Sequence, residues 1–332
     1  MSVELVHGSR NGQVENIYRG DAVVVNLDDD EVIYELGDRF KKTFWRSSAK
    51  PFQVLPLVEA GGIERYNISG EELALMCASH GGEEGHVEAV ETLLKKIGFS
   101  EPDLHCGPAP PMYRPAVKEI LKRKQNWTQL HNCCSGKHSG MLAIAAIKGY
   151  ATDGYEEINH PLQQEVLEIA SEISGVKKEE IGIGVDGCGA PIFYMPLFNM
   201  AKAYAYLSKP GSLAGDIRAG ALKKVAEAMS AYPWYVAGTG RLDTVLMEVT
   251  GGRLLAKLGA DGVYCVSFMG EGKGIALKIE CGVIKAIEPA IVEILRRLNY
   301  IDHREEEVII KKLDFSIYNH RKESIGSLQA VF

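Results

Sequence analysis

A serine and a lysine stand three positions apart at Ser47 and Lys50. On a helix this spacing puts both side chains on one face, so the lysine amine would lie beside the serine hydroxyl. A serine hydroxyl becomes a nucleophile when a base removes its proton, and a lysine serves as that base once burial or a second cation lowers its pKa. The pair therefore predicts nucleophilic catalysis. A capped surface helix is the alternative, because Ser174 and Lys177 have the same spacing.

A polar, glycine-rich turn at residues 79–85 directly follows the apolar run 73–78. Functional residues are often found in such turns after a buried segment. Ser79 and His80 are therefore candidate site residues. The alternative is that Ser79 or Gly85 only starts the next helix.

Two further turns carry thiols beside other possible metal ligands. Cys134, Lys137 and His138 lie in the first turn, and Asp186 and Cys188 lie in the second. Zinc accepts sulfur, nitrogen and oxygen ligands, so these turns predict a zinc site. The chain has no Cys-x-x-Cys pair, which leaves buried free cysteines as the alternative. His138 is more often a hydrogen-bonded structural residue than a ligand in such a position.

Lys257 lies in the run 256–259, just before an apolar strand predicted at residues 263–268. This run resembles the Lys-Thr-Gly element of serine penicillin-recognising enzymes, in which a Ser-x-x-Lys helix faces a strand that bears a lysine. The Ser-x-Asn element of those enzymes is absent between Ser47 and Lys257, which argues against a β-lactamase. A surface lysine at a strand end is the alternative.

The order of the predicted elements indicates how these residues could be positioned. Strands are predicted at residues 3–6, 14–18, 22–27, 31–36, 253–257, 263–268, 275–280 and 283–286, and helices at residues 47–60, 86–97, 116–124, 160–173, 214–229 and 289–298. This order predicts one α/β (α+β) domain over residues 1–332, with a largely antiparallel sheet built from both chain ends and an inserted helical region. Residues near Ser47 and Lys257 would then reach the same edge.

Composition narrows the class of protein. The net charge of -7 argues against a nucleic-acid binder, which needs a concentrated basic surface. No run approaches the roughly 18 apolar residues of a membrane span, and residues 1–16 lack the apolar core of a signal peptide. Seven scattered cysteines without disulfide-framework spacing are typical of a reducing compartment. We therefore expect a cytoplasmic protein that binds neither nucleic acid nor membrane.

Five runs in sequence resemble the rhizobial-type, thermolabile L-asparaginases: residues 46–53, 78–83, 133–138, 186–191 and 236–244. The resemblance extends in order from about Val3 to Leu328. It implies a β-lactamase-like fold, usually as a homodimer, with two Ser-Lys pairs. Ser47 with Lys50 would form one pair, and Ser79 with Lys257 the other.

The resemblance also implies a zinc site near the substrate. Its ligands would be Cys134, Lys137 and Cys188, with Asp186 nearby, and we expect Arg46, His80 and Asp186 to bind the substrate. Lysine coordinates zinc only as a neutral amine. The chain departs from the family pattern at Gly81, where a serine is expected, and at Ala109, where a histidine is expected.

The implied activity is hydrolysis of L-asparagine to L-aspartate and ammonia. One methylene separates asparagine from glutamine, and a pocket discriminates it by only about 1–3 kcal/mol, so a glutaminase or another small-amide hydrolase is one alternative. A non-catalytic protein that binds a metal or an amino acid is the other. The presence of Ser47, Lys50, Ser79 and Lys257 argues against that second alternative.

Overall fold

The computed structural model describes residues 1–28, 31–213 and 215–332 of the chain. The strands are β1 (Val3–Arg10), β2 (Gln13–Asn26), β3 (Glu31–Leu36), β4 (Lys42–Phe44), β5 (Gly182–Val185), β6 (Pro191–Pro196), β7 (Leu254–Gly259), β8 (Val263–Phe268), β9 (Lys273–Ile279), β10 (Ser316–Tyr318) and β11 (Ser324–Ala330). The α-helices are α1 (Lys50–Gln53), α2 (Leu55–Glu59), α3 (Gly62–Arg65), α4 (Gly70–Met76), α5 (Glu84–Ile97), α6 (Arg114–Lys122), α7 (Ser135–Lys148), α8 (Pro161–Ser174), α9 (Leu197–Ser208), α10 (Asp216–Ala231), α11 (Pro233–Val236), α12 (Leu242–Val249), α13 (Ile287–Arg297) and α14 (His303–Leu313).

Several elements differ from the sequence-based expectation, and the predicted strands 14–18 and 22–27 are one strand, β2. The helix predicted over residues 47–60 is divided into a 3₁₀ turn (Arg46–Ala49), α1 and α2, because Pro51 and Pro56 each fit only in a first helical turn. The strand predicted over residues 283–286 is wrong, since Ile284–Ala286 is a 3₁₀ turn that leads into α13. The helix predicted over residues 214–229 is α10, and Ala214 lies outside the described residues.

The described residues form two compact units. Unit 1 comprises Met1–Thr43, Met195–Ser208 and Gly240–Phe332, and unit 2 comprises Phe44–Tyr194 and Lys209–Thr239. Each unit is therefore assembled from segments that are distant in sequence. A single domain over residues 1–332 stays a prediction. None of the described helices is both long and apolar enough to span a bilayer.

Unit 1 contains an eight-stranded sheet in the order β10-β11-β1-β2-β9-β8-β7, with β3 paired to β2. Its strand pairings are antiparallel. Strands from the start of the chain thus pair directly with strands from its end, as β1 does with β11 and β2 with β9. The predicted antiparallel sheet from both chain ends, with a helical region between them in sequence, is confirmed.

Helix α9 covers the centre of this sheet and packs against β2, β8 and β9. A Cβ atom at Gly274 in β9 would lie 2.2 Å from the Ala201 carbonyl oxygen and 2.5 Å from the Ala205 nitrogen. The Ser267 hydroxyl of β8 donates to the Tyr204 carbonyl at 2.6 Å. The helix backbone therefore rests directly on the sheet, and only glycine fits at position 274.

Unit 2 is built around α7, in which residues 135–145 are all buried. Helices α2, α4, α5 and α8 pack around it. A Cβ atom at Gly136 would lie 2.2 Å from the Leu75 carbonyl oxygen, so α4 and the start of α7 approach closely. This packing fixes the first turn of α7, which bears Ser135 and Lys137, in the interior of the unit.

Strands β5 and β6 of unit 2 form an antiparallel hairpin in which Val185 lies opposite Pro191. The turn between them is closed by a hydrogen bond from the Asp186 N–H to the Ala190 carbonyl at 2.9 Å. Gly189 has a φ of 88° in this turn, a conformation that favours glycine. The hairpin therefore presents Asp186 and Cys188 at its tip.

We predict that Gly274→Ala destabilises the protein by about 1–3 kcal/mol, because the added methyl group has to push the α9 backbone from the sheet. Gly220→Ala is the matched control. Gly220 is exposed in α10 with no atom within 4 Å of its added Cβ, so alanine should stabilise by up to about 1 kcal/mol. Urea denaturation of both variants tests this. Equal unfolding midpoints for the two variants would contradict the close approach.

Candidate active site

Ser47 lies in the 3₁₀ turn Arg46–Ala49, which precedes α1. Arg46 adopts a φ of 52°, a left-handed conformation that is uncommon for residues other than glycine and is often found at functional sites. The neighbouring Ser48 is buried and donates to the Trp45 carbonyl at 2.6 Å. Ser47 is only half-buried. Of these two adjacent serines, Ser47 is thus the more accessible.

The Lys50 side chain is 1% exposed. Its amine donates to the Ala78 carbonyl oxygen, to Ser79 Oγ at 3.0 Å and to Cys134 Sγ at 3.3 Å. Three acceptors match the three N–H donors of an ammonium group. Among the hydrogen bonds of the described residues, none joins the Lys50 amine to Ser47. The serine that Lys50 contacts is Ser79, and the capped-surface-helix interpretation is wrong.

The loop that follows α4 carries Ser79 and His80. The Ser79 N–H donates to the Val236 carbonyl at 3.0 Å, and the Ser79 side chain is almost fully buried. His80 Nδ1 accepts from the Gly82 N–H at 3.1 Å, so its Nε2–H donates to Ser135 Oγ at 2.9 Å. Both ring nitrogens of His80 thus have protein partners.

Burial lowers the pKa of His80 well below its ordinary value, and the charges of His86 and Lys50 act in the same direction. His80 is therefore a neutral ring that ties the Ser79 loop to the start of α7. A substrate-binding role for His80 stays a prediction.

The two thiol-bearing turns converge. The ligand atoms of Cys134, Asp186 and Cys188 all lie within 4.8 Å of one another. The Lys137 amine donates to Cys188 Sγ at 3.0 Å, and Cys188 Sγ donates to Asp186 Oδ2 at 3.5 Å. One cluster therefore contains four candidate residues. Lys137 comes from α7, Cys134 directly precedes that helix, and Asp186 and Cys188 come from the β5–β6 turn.

The ionisation of this cluster is uneven. Hydrogen bonds from the Cys133 and Cys188 thiols hold the pKa of Cys134 well below its ordinary value, and the cations of Lys50 and Lys137 lower it further. Burial alone would lower the pKa of Lys137, but the charges of Cys134 and Asp186 and the hydrogen bond to Cys188 Sγ raise it overall. Cys134 is thus a thiolate beside an ammonium.

The Arg46 guanidinium forms an ion pair between two turns of the candidate site. Its Nη2 lies 2.9 Å from Asp186 Oδ1, and the two side chains are 22% and 9% exposed. This ion pair connects the turn that bears Ser47 with the turn that bears Cys188. Arg46 and Asp186 are thus placed beside the other candidate residues of unit 2, and their binding of substrate stays a prediction.

Lys257 lies in unit 1, on β7. Its side chain is fully buried, so the surface-lysine interpretation is wrong. The amine donates to the Leu258 carbonyl at 2.8 Å and lies 4.0 Å from Asp243 Oδ2, which accepts the Leu258 N–H at 3.0 Å. Ser79 belongs to unit 2. The pairing of Ser79 with Lys257 stays a prediction.

His138 has the structural role expected for it. The Tyr155 hydroxyl accepts the His105 N–H at 2.8 Å and is hydrogen-bonded to His138 Nδ1 at 2.8 Å. Burial lowers the pKa of His138 well below its ordinary value, and the Lys137 charge acts likewise. The ring is therefore neutral and supports α7 from within.

Sequence reasoning missed two carboxylates. Asp243 contacts the backbone beside Lys257, and Glu83 contacts Thr239. Both lie inside or next to the runs that resemble a known family, but neither has a spacing that indicates chemistry. Their hydrogen-bond partners lie in segments that are distant in sequence, so spacing along the chain does not identify them.

The family to which the chain is matched defines it as an amidohydrolase. The model of the L-asparaginase II family matches residues 6–330, and the chain belongs to this family. The resemblance read from the sequence is thereby confirmed, and L-asparaginase is the activity that the family supports. No curated protein sequence matches the chain.

Solved structures similar to this chain include two that are described as β-lactamases. A candidate beta-lactamase from Bacteroides dorei is 14% identical, with a TM-score of 0.42, and the match covers 83% of this chain and 93% of that one. A beta-lactamase from Mycobacterium bovis is 12% identical, with a TM-score of 0.41, covering 84% of this chain and 94% of that one.

We predict that Ser135→Ala lowers the free energy of unfolding by about 1–3 kcal/mol, because it leaves the buried Nε2–H of His80 without an acceptor. Ser139→Ala is the matched control on the same buried helix face. Its hydroxyl only donates back to the Ser135 carbonyl, so its loss strands no donor and should cost clearly less. Urea unfolding measures both. Equal losses would mean that the His80 contact contributes nothing specific.

Proposed function

We propose that this protein hydrolyses L-asparagine through a serine-bound acyl-enzyme. The observation that carries the proposal is the Lys50 amine, which lies 3.0 Å from Ser79 Oγ and 3.3 Å from Cys134 Sγ in a buried site of an L-asparaginase II family chain. A lysine in hydrogen-bond contact with a serine can move that serine's proton.

In the proposed reaction the Ser47 oxygen attacks the side-chain amide carbon of the substrate. Lys50 and the Ser79–Lys257 pair relay the serine proton to the amide nitrogen, the C–N bond breaks and ammonia leaves. Water then attacks the acyl carbon, and the same groups return the proton to the serine. Lys257 and Ser79 form the second Ser-Lys pair of the proposal. The accessible position of Ser47 supports its role as the nucleophile, and the contact of Lys50 with Ser79 supports their part in the proton relay.

We predict that Ser47→Ala and Ser79→Ala each abolish ammonia release while the protein stays folded. The first variant lacks the proposed nucleophile, and the second lacks a hydroxyl of the proposed proton relay. Ser48→Ala is the control, because the Ser48 hydroxyl donates to the Trp45 carbonyl and lies outside that chain. Ammonia release is measured with asparagine, glutamine and an unrelated small amide, alongside a β-lactam hydrolysis control.

Each outcome of that assay has one meaning. Near-parental turnover by Ser47→Ala rejects Ser47 as the nucleophile, and mass spectrometry of trapped acyl-enzyme then decides for or against Ser79. Faster release from glutamine identifies a glutaminase. No release from any amide by the parent protein identifies a non-catalytic binding protein.

We further propose that the cluster of Cys134, Lys137 and Cys188, with Asp186 beside it, holds a zinc ion. The convergence of two sulfurs and a carboxylate and the lowered pKa of Cys134 fit the ligand set of zinc. Lys137 would coordinate only after losing its proton. A bound zinc ion would supply Lewis-acid polarisation or orientation of a substrate oxygen.

We predict that the purified protein contains zinc and that Cys134→Ala and Cys188→Ala lose it. Cys281→Ala is the control, since Cys281 is an exposed cysteine and not a member of the cluster. Elemental analysis of the three variants and the parent provides the measurement. A metal-free parent with fully active Cys134 and Cys188 variants would leave the thiols a structural role only.

We also propose that the protein is a homodimer and is located in a reducing cytoplasm. All seven cysteines lie within the described residues and none forms a disulfide, which supports a reducing compartment. The dimer is supported by the family resemblance of the sequence.

A further inference from the structure

The loop of residues 79–83 lies along the segment 236–239 within unit 2. At its start the Ser79 N–H donates to the Val236 carbonyl at 3.0 Å. At its end Glu83 Oε1 accepts the Thr239 N–H at 2.8 Å, and Glu83 Oε2 accepts the Thr239 hydroxyl at 2.7 Å. The loop that carries Ser79 is therefore held at both ends by the same short segment.

The Glu83 carboxylate is built into this contact. Both of its oxygens accept a hydrogen bond, and its side chain is 13% exposed. Hydrogen bonds to an ionised carboxylate are roughly twice as strong as neutral ones. The neighbouring Glu84 side chain, by contrast, is 78% exposed. Adjacent carboxylates thus have opposite environments.

Two glycines leave room for the carboxylate. Gly238 has a φ of 106°, and an added Cβ atom there would lie 2.6 Å from Glu83 Oε1. An added Cβ atom at Gly81 would lie 3.0 Å from the same oxygen. The loop and the segment therefore leave space for the Glu83 carboxylate. Position 81 is a glycine where the family pattern has a serine, and a side chain there would crowd Oε1, which accepts the Thr239 N–H.

The same segment extends the contact toward the thiol cluster. Trp234 Nε1–H donates to Thr239 Oγ1 at 3.1 Å, and the Trp234 ring stacks on His86 with centroids 3.8 Å apart. The His86 ring stacks in turn on His80, 5.2 Å between centroids. His80 bonds to Ser135, next to Cys134. Thr239 is thus connected through Trp234 and the two stacked histidines to Ser135 at the start of α7.

We propose that Glu83 is a positioning residue, which fixes the Ser79 loop through Thr239 and so aligns the Ser79 hydroxyl with Lys50. This inference rests on the proposed function of Ser79. Both oxygens of Glu83 accept a hydrogen bond from Thr239, and through this contact the carboxylate acts on the loop. A misplacement of about 1 Å in a reacting group can cost about 100-fold in rate, which sets the expected effect.

The test measures kcat and KM for ammonia release together with tryptophan emission. Glu83→Ala should lower kcat about 100-fold with little change in KM, and should change the emission of Trp234. Glu83→Gln keeps one acceptor for the Thr239 N–H, so it should lie between Glu83→Ala and the parent. Glu84→Gln is the matched control and should equal the parent in both readouts.

A double-mutant cycle of Glu83→Gln with Thr239→Val identifies the contact. Because the two side chains share one hydrogen-bonded unit, the double variant should be hardly worse than the worse single variant. The emission change should disappear in a Trp234→Phe background. Parental kcat in Glu83→Ala, or fully additive effects in the cycle, would overturn the proposal.

The readouts also separate this inference from the proposed function. If the parent protein releases no ammonia from any amide, the proposed function fails. The emission change and its dependence on Trp234 then still decide whether Glu83 anchors the loop. If Glu83→Ala does not fold, Glu83→Gln and Thr239→Val carry the same comparison.

Discussion

Burial of the Lys50 amine is the constraint on which the rest of the site depends. An ammonium group in the protein interior is costly unless each of its N–H groups has an acceptor. Lys50 finds its acceptors at Ala78, Ser79 and Cys134, which come from two segments that are distant in sequence. One amine therefore fixes α1, the loop after α4 and the start of α7 relative to one another. The close backbone approach at Gly136 makes this geometry sterically attainable.

A second consequence of burial is charge balance. The Lys137 ammonium and the Arg46 guanidinium lie beside the Asp186 carboxylate and beside Cys134, whose pKa is lowered, while the hydrogen bond to Cys134 and burial raise the pKa of Cys188, which keeps its proton. A divalent cation entering this cluster would meet anions that these cations already neutralise. Metal binding would therefore release protons, from Cys188 and from the Lys137 amine. Metal binding by Lys137 would thus depend on the protonation states of the other residues in the cluster.

Much of the sheet could be predicted from the sequence because short β-rich runs, separated by turn residues, lie at both ends of the chain, whereas β10 and β11 are not predicted. The convergence of Cys134, Asp186 and Cys188 could be predicted because their residue types share one chemistry, and their binding of zinc stays a prediction. The partner of Lys50 could not be predicted from its spacing. A spacing of three residues implies Ser47, and the Lys50 N–H does donate to the Ser47 carbonyl in the 3₁₀ turn, but the spacing does not fix where the long Lys50 side chain ends. The Lys50 side chain then follows tertiary packing, which brings it to Ser79.

The same reasoning explains why a nucleophile loop rich in glycine needs anchors outside itself. Gly81 and Gly82 allow the sharp turn after Ser79, with a φ of 68° at Gly82, but glycine gives up more conformational entropy than other residues when it is ordered. A reacting group has to be held to about 0.5 Å. The loop itself supplies little of that restraint, so it must come from the bonds at its two ends, through Val236 and through Glu83 to Thr239. The conformational freedom of the glycines thus makes the hydrogen bonds at the two ends of the loop necessary, and those from Thr239 to the Glu83 carboxylate are charge-assisted.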